Sequence, residues 1–201
     1  LETEYSLLEL AELKIMVPLI ATTFLSPLFS ILQEEGILIN YVLMIVGKTG
    51  TYKSSTTALM LCHFGNFGVD TLPLSFRATF AGIEKVAFAA KDVLLVIDDY
   101  KPEAMETDQE RIMESILGLW GDRTNRIKMN SKGGLHQKYA PRGLGMVTGE
   151  RAPKFNSGRL ARMLTIYTQE GSIDFAKLKE INEKKEQLAF VMKEFIKWVI
   201  S

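Results

Sequence analysis

Residues 39–46 (INYVLMIV) are almost continuously apolar and run directly into a glycine-rich turn. An apolar run without alternation predicts a strand buried on both faces of a parallel sheet. Residues 93–97 (VLLVI) repeat the pattern and end in Asp98 and Asp99. Further strands are expected at 72–76, 144–148 and 163–168. Helical patterning occupies 54–64, 80–90 and 107 to about 120, the last opened by a Thr-x-x-Glu capping box at Thr107 and Glu110. Residues 2–33 read as helical with breaks at Pro18 and Pro27. From Phe175 onward the pattern is helical and rich in Lys and Glu. Two short strand-like runs, 126–130 and 135–139, flank Ser131-Lys132-Gly133-Gly134 and predict a β-hairpin. The expected fold is α/β, with a mostly parallel sheet flanked by helices, a β-hairpin insertion and helical N- and C-terminal segments. The expected division is a helical segment over 1–36, a core over 37–170 and a second helical segment over 171–201.

Bulk composition changes this picture little. At 201 residues with 47% hydrophobic residues, the chain suffices for one domain with a real core. Lys plus Arg and Asp plus Glu both number 24, so net charge says nothing of a nucleic-acid partner. Cys62 is the only cysteine, which excludes an internal disulfide and a cysteine-rich zinc site, and it reads as a small buried residue on a helix. No secretory signal is visible, and a chain that starts and stops inside helix-like sequence reads as part of something larger. Residues 15–32 carry no charge and reach the length of a membrane span. Pro18, Pro27 and the interspersed Thr22, Thr23, Ser26 and Ser30 favour short buried helices instead, in a cytoplasmic protein with no membrane partner.

The chemistry concentrates in Gly47-Lys48-Thr49-Gly50-Thr51-Tyr52-Lys53-Ser54. The phosphate-loop pattern is G-x-x-x-x-G-K-[ST], a glycine-rich turn between a strand and a helix. Gly47, Lys53 and Ser54 are in register; Tyr52 replaces the penultimate glycine, and Gly50 is an extra glycine within the loop. Successive amides of such a loop can wrap an anion, and the following helix aims its positive end at it. The nucleotide contacts expected here are Gly47, Thr49, Gly50, Thr51, Tyr52, Lys53, Ser54 and Ser55. Lys53 would reach the β- and γ-phosphates of ATP and the Ser54 hydroxyl would hold Mg²⁺. Asp98, at the end of a buried strand downstream, would complete the Mg²⁺ shell. Asp99 stands where a glutamate often polarises the attacking water, one methylene short. The competing reading is an ordinary strand-to-helix turn with a chance lysine and two solvated aspartates.

Residues 123–162 hold ten basic residues and one acidic one, Glu150. Arg126, Lys128, Lys132 and Lys138 lie on the hairpin and suit the phosphate backbone of DNA; a solvated surface hairpin is the alternative. Thr148 closes the next strand and could sense the γ-phosphate. Arg162, then Arg159, could reach a neighbouring subunit's nucleotide as an arginine finger, or simply pair with local carboxylates.

Together these residues resemble a family of bacterial phage, plasmid and integrative-element proteins, a domain attached to primases and replicative helicases. The likeness is carried by Pro27-Leu28-Phe29, the loop with Lys53-Ser54-Ser55, Ala89-Ala90-Lys91-Asp92, and Asp98-Asp99-Tyr100. It continues in Ala140-Pro141-Arg142-Gly143, Thr148-Gly149-Glu150 and Ser157-Gly158-Arg159-Leu160-Ala161-Arg162, and runs from about residue 8 to about residue 170. The resemblance implies a ring-forming P-loop ATPase of the AAA+ type, near the superfamily-3 and minichromosome-maintenance helicases. It also implies a DNA-contacting lysine at the hairpin tip, Lys132 by position, and a homo-oligomer, hexameric in the full-length protein. Three functions stay open: an ATP-driven DNA helicase or translocase core of a mobile element, an ATPase switch such as a helicase loader, and a degenerate P-loop module that binds DNA without efficient hydrolysis.

Overall fold

The computed structural model describes residues 2–102, 107–121, 139–155 and 157–201. The hairpin region, with Arg126, Lys128, Lys132 and Lys138, lies outside the described residues, as does the Thr107 side chain of the expected capping box. Helices α1 (Glu2–Leu8), α2 (Leu13–Leu25) and α3 (Phe29–Glu34) precede strand β1 (Val42–Val46) and helix α4 (Lys53–Leu61). Then come β2 (Leu74–Ser75), α5 (Phe80–Ala89), β3 (Leu94–Tyr100) and α6 (Thr107–Gly121). The chain continues through β4 (Leu144–Gly149), α7 (Ser157–Leu160), β5 (Met163–Tyr167), α8 (Phe175–Glu183) and α9 (Glu186–Ile200).

All five strands are parallel, in the order β2-β3-β4-β1-β5. The fold is that of a P-loop NTPase: the first strand lies inside the sheet beside the edge strand β5, and the fourth is inserted between it and the third. Both faces are covered, which is why β1 reads as an unbroken apolar run. Leu43 and Ile45 point into one core with α1, α2, α4, α8 and α9, through Leu7, Leu19, Leu59, Leu178 and Leu188. Val42, Met44 and Val46 point into the other, with Ile83 and Ala87 of α5 and Met113, Ile116 and Trp120 of α6. The period-two alternation along β1 therefore decides which helix layer each residue meets.

Several expectations need correction. The helix does not break at Pro18, which sits inside α2. The carbonyl that loses its partner there belongs to Lys14, in the exposed first turn, where water can satisfy it. Pro27 does mark a change, a 3-10 turn at Ser26–Leu28. By length and composition the continuous run over residues 13–34 could cross a membrane. Here Ile15, Met16, Leu19 and Phe29 are buried in the core of the domain. β1 starts at Val42 rather than residue 39, β2 is only two residues long, and α4 ends at Leu61. β3 continues past Ile97 through both aspartates. Cys62 is buried as expected, and burial pushes its thiol pKa up.

Three of the motif segments lock the sheet's lower edge. Asp92 adopts a left-handed backbone (φ 55°), and its carboxylate accepts from the Ser30 amide at 2.9 Å, just beyond the Pro27 turn. Arg142 lies 4.0 Å over the Phe88 ring. A Cβ on Gly143 would come within 2.3 Å of the Val93 carbonyl oxygen, so only glycine fits. The Gly143 carbonyl accepts from the Trp120 indole at 3.0 Å, and that ring covers Gly145 of β4.

Candidate functional site

Because the strands are parallel, their C-terminal ends share one edge of the sheet, and the 47–52 loop leaves β1 there between β4 and β5. Gly47 is enclosed: a Cβ would sit 2.2 Å from Thr168 Oγ1 and 2.7 Å from Thr51 Oγ1. Thr168 follows β5; its amide donates to the Val46 carbonyl at 2.7 Å. Thr51 is buried, and its hydroxyl donates to the Lys48 carbonyl at 2.9 Å, so it shapes the loop from within. The chain then passes through Gly50 (φ 87°) and Tyr52 (φ 57°) before α4 begins at Lys53. Tyr52 thus holds the left-handed conformation that glycine normally supplies, and its ring stacks on Phe175 at 5.0 Å. The first amides of α4 have no intrahelical carbonyl to bond and face the cleft with the helix dipole. Lys53 Nζ donates to the Lys48 carbonyl at 2.8 Å; burial lowers its pKa, against the opposing pull of Glu150 and Asp98.

Asp98 is the junction of the site. Its Oδ1 accepts from Ser54 Oγ at 2.8 Å and from Thr148 Oγ1 at 2.5 Å. Thr148 Oγ1 in turn accepts from the Asp99 amide at 3.1 Å. The β3–β4 register shifts between Ile97 and Tyr100: Ile97 pairs with Val147 and Tyr100 with Gly149, so both aspartates stand opposite Thr148. This is a β-bulge, with Asp99 at φ 68°. It separates the two carboxylates, Asp98 turning toward α4 and Asp99 lining the open cleft.

Sequence reasoning missed Lys101 and assigned no role to Glu150. Lys101 Nζ lies 2.7 Å from Glu150 Oε1, 3.9 Å from Asp99 Oδ1 and 3.3 Å from Thr49 Oγ1, and Thr49 also donates to Glu150. Lys101 and Thr49 hold the Glu150 carboxyl below the usual carboxylate range. The available signal was spacing, since Lys101 is two residues beyond Asp99, just past the end of β3. The cleft holds about 300 Å³ and is lined by Thr49, Gly50, Tyr52, Lys53, Ser54, Ser55, Asp99, Lys101, Thr148, Gly149 and Glu150. Among the described residues, no cluster of three or more His, Cys, Asp or Glu suits a metal. One hydroxyl and one carboxylate at 2.8 Å match a cation that takes its remaining ligands from phosphate and water.

The two candidate arginines are elsewhere. The Val42 amide at the start of β1 donates to the Arg162 carbonyl, so Arg162 sits at the opposite edge of the sheet, about 16 Å along a five-residue strand. Its side chain crosses Gly121 at the end of α6. Arg159 pairs with Glu114 of α6 at 2.8 Å.

A family model described as a domain of unknown function (DUF927) matches residues 4–137. No curated protein matches. Among solved structures, the SCCmec type IV Cch active helicase is similar with a TM-score of 0.55 and 17% identity. That likeness covers 84% of this chain and 31% of that one, so the chain spans about a third of the helicase's length. At this identity it speaks for the fold alone. Two structures of the JCV helicase, one with a bound acetamide compound, give TM-scores of 0.44 and 0.46 at 13% and 11% identity. Each covers 90% of this chain and 53% of the other, and at those scores neither bears on the argument.

The left-handed Tyr52 leads to a direct prediction. Tyr52→Gly and Tyr52→Ala both remove the stack on Phe175, but only alanine keeps the backbone strain. Urea denaturation should find the alanine variant less stable by about 1 kcal/mol. Equal stabilities would mean that the backbone at this position carries no such strain.

Proposed function

This chain belongs to the DUF927 family of domains of unknown function, and we propose that it is the ATP-hydrolysing motor core of a DNA helicase or translocase, part of a mobile-element replication protein. The observation that carries this reading is the Ser54–Asp98–Thr148 junction at the mouth of the loop. It joins the hydroxyl, carboxylate and sensor side chains that nucleotide hydrolysis needs, at the point where the strand order reverses and α/β folds bind ligands. Lys53 neutralises the β- and γ-phosphates of ATP. Ser54 and Asp98 would hold Mg²⁺, which would supply charge neutralisation on the phosphates. Asp99, at the open side of the bulge, orients the attacking water, and Thr148 reports the terminal phosphate to β4. The left-handed Tyr52 supports a working loop over a degenerate one, because the backbone path is kept despite the missing glycine. A loader-type switch would share this site; strand separation by the full-length protein distinguishes the two.

Lys53→Ala should abolish DNA-stimulated ATP hydrolysis in a phosphate-release assay. Unchanged turnover in a clean preparation of that variant would remove the site assignment.

DNA binding is proposed for Lys132 at the hairpin tip, supported by Lys128, Lys138 and Arg126, on the basis of sequence charge. Contact with the phosphate backbone is insensitive to sequence and weakens as salt rises. Lys132→Ala should weaken single-stranded DNA binding across a salt series with nucleotide binding intact; identical binding isotherms would refute the contact.

A ring is proposed because Arg162 lies at the sheet edge remote from the chain's own loop and Arg159 is paired with Glu114 of α6, so that either would serve a nucleotide across an interface. Such a finger contributes about 10³–10⁵ in rate in other P-loop enzymes. Mixing inactive full-length Lys53→Ala and Arg162→Ala proteins should restore partial ATPase activity at interfaces that keep both groups. Mixed rings that form yet stay inactive, for Arg159→Ala as well, would overturn the trans arrangement.

A further inference from the structure

Thr49, Lys101 and Glu150 form a closed triangle on one wall of the cleft, and hydrolysis as described above does not use it. Its corners come from three segments: the loop, the residue after β3 and the residue after β4. Thr49 Oγ1 donates to Glu150, Lys101 Nζ lies 2.7 Å from Glu150 Oε1, and the same ammonium lies 3.3 Å from Thr49 Oγ1. Lys101 is also 3.9 Å from the Asp99 carboxylate. All three residues line the same cavity as Lys53, Ser54 and Thr148.

The triangle occupies space that a polyphosphate would need. Glu150 is an anion bonded to the middle of the loop, and its hydrogen bonds from Lys101 and Thr49 push its pKa further down. Phosphate oxygens brought alongside it would be repelled unless the carboxylate moved or lost its charge. Lys101, by contrast, is a cation beside Asp99, on the wall where the terminal phosphate and its attacking water belong. With side chains 43% and 35% exposed, Lys101 and Glu150 form a solvent-screened pair that is readily exchanged.

We propose that Lys101 is a specificity-determining contact for the terminal phosphate of a bound nucleoside triphosphate, which replaces Glu150 as its partner and frees Thr49 and the loop. The Lys101–Glu150 pair is then a latch that a triphosphate opens and a diphosphate leaves closed. This rests on the reading of the loop as a nucleotide site.

The test is calorimetric titration of the protein with Mg²⁺-ADP and with a Mg²⁺-bound non-hydrolysable ATP analogue. Lys101→Met should weaken analogue binding about tenfold or more, the loss of one charge-assisted contact, and change ADP binding less than about twofold. Lys101→Arg should retain most of the preference. Glu150→Gln should tighten analogue binding several-fold, since it releases the lysine and removes the opposing charge. If Lys101→Met weakens both nucleotides equally, or neither, the triangle is only a brace and the proposal is wrong. It is equally overturned if Glu150→Gln leaves analogue binding unchanged, a readout that stands even if Lys101→Met fails to fold. A parent protein that binds neither nucleotide would sink the nucleotide site itself; a parent that binds both, with a Lys101→Met variant of unaltered preference, would sink only the latch.

Discussion

One carboxylate oxygen, Asp98 Oδ1, accepts hydrogen bonds from both Ser54 and Thr148, and the rest of the site is arranged around it. Those partners come from the start of α4 and the end of β4, segments that meet only because β4 is inserted beside β1. The bulge in β3 lets one strand present two adjacent carboxylates in different directions. A regular strand would alternate them across the sheet, leaving one against α4 and the other buried in the opposite layer. The left-handed Asp99 backbone belongs to the same device, and the Thr148 hydroxyl secures it by accepting the Asp99 amide.

Two kinds of rigidity meet at the cleft. Its floor is sterically fixed, since Gly47 has no room for a side chain and the Thr168 amide binds the end of β1. Its rim is held by half-exposed charges, and such pairs are worth about 0–1 kcal/mol each. The floor therefore sets where an anion sits, while the rim can rearrange at little cost. Tyr52 connects the two regimes, because its stack on Phe175 ties the loop to the first turn of α8.

The sheet was largely legible in the sequence because its strands are buried on both faces and leave continuous apolar runs. Its short edge strand β2 was harder to read, since two residues carry no periodicity. Pro18 misled because a proline's effect depends on which carbonyl it orphans, and here that carbonyl lies in the exposed first turn of α2. The loop residues and Asp98 were visible as a pattern, but the bulge was not, since it depends on a hydroxyl about 50 residues away. Lys101 stayed hidden for a similar reason: its chemistry depends on Glu150 and Thr49, which only the fold brings near. Several motif segments taken together with the site, Pro27 to Phe29, Asp92 and Arg142-Gly143, instead hold the far edge of the sheet together.

The strand order also governs how the chain must be made. β1 finds its first sheet neighbour in β4, paired Val42 to Gly145, and its second in β5. About 100 residues must therefore follow β1 out of the ribosome before it has an edge to bond, roughly 5–20 s at ordinary elongation rates. During that interval a wholly apolar strand is committed to no partner, while β3 can already pair with β2. Long-range parallel pairing of this kind is slow to nucleate and exposed to aggregation. The arrangement that assembles the site from distant segments thus makes the strand that carries the loop wait longest in the nascent chain, a natural client for a chaperone that shelters short apolar stretches.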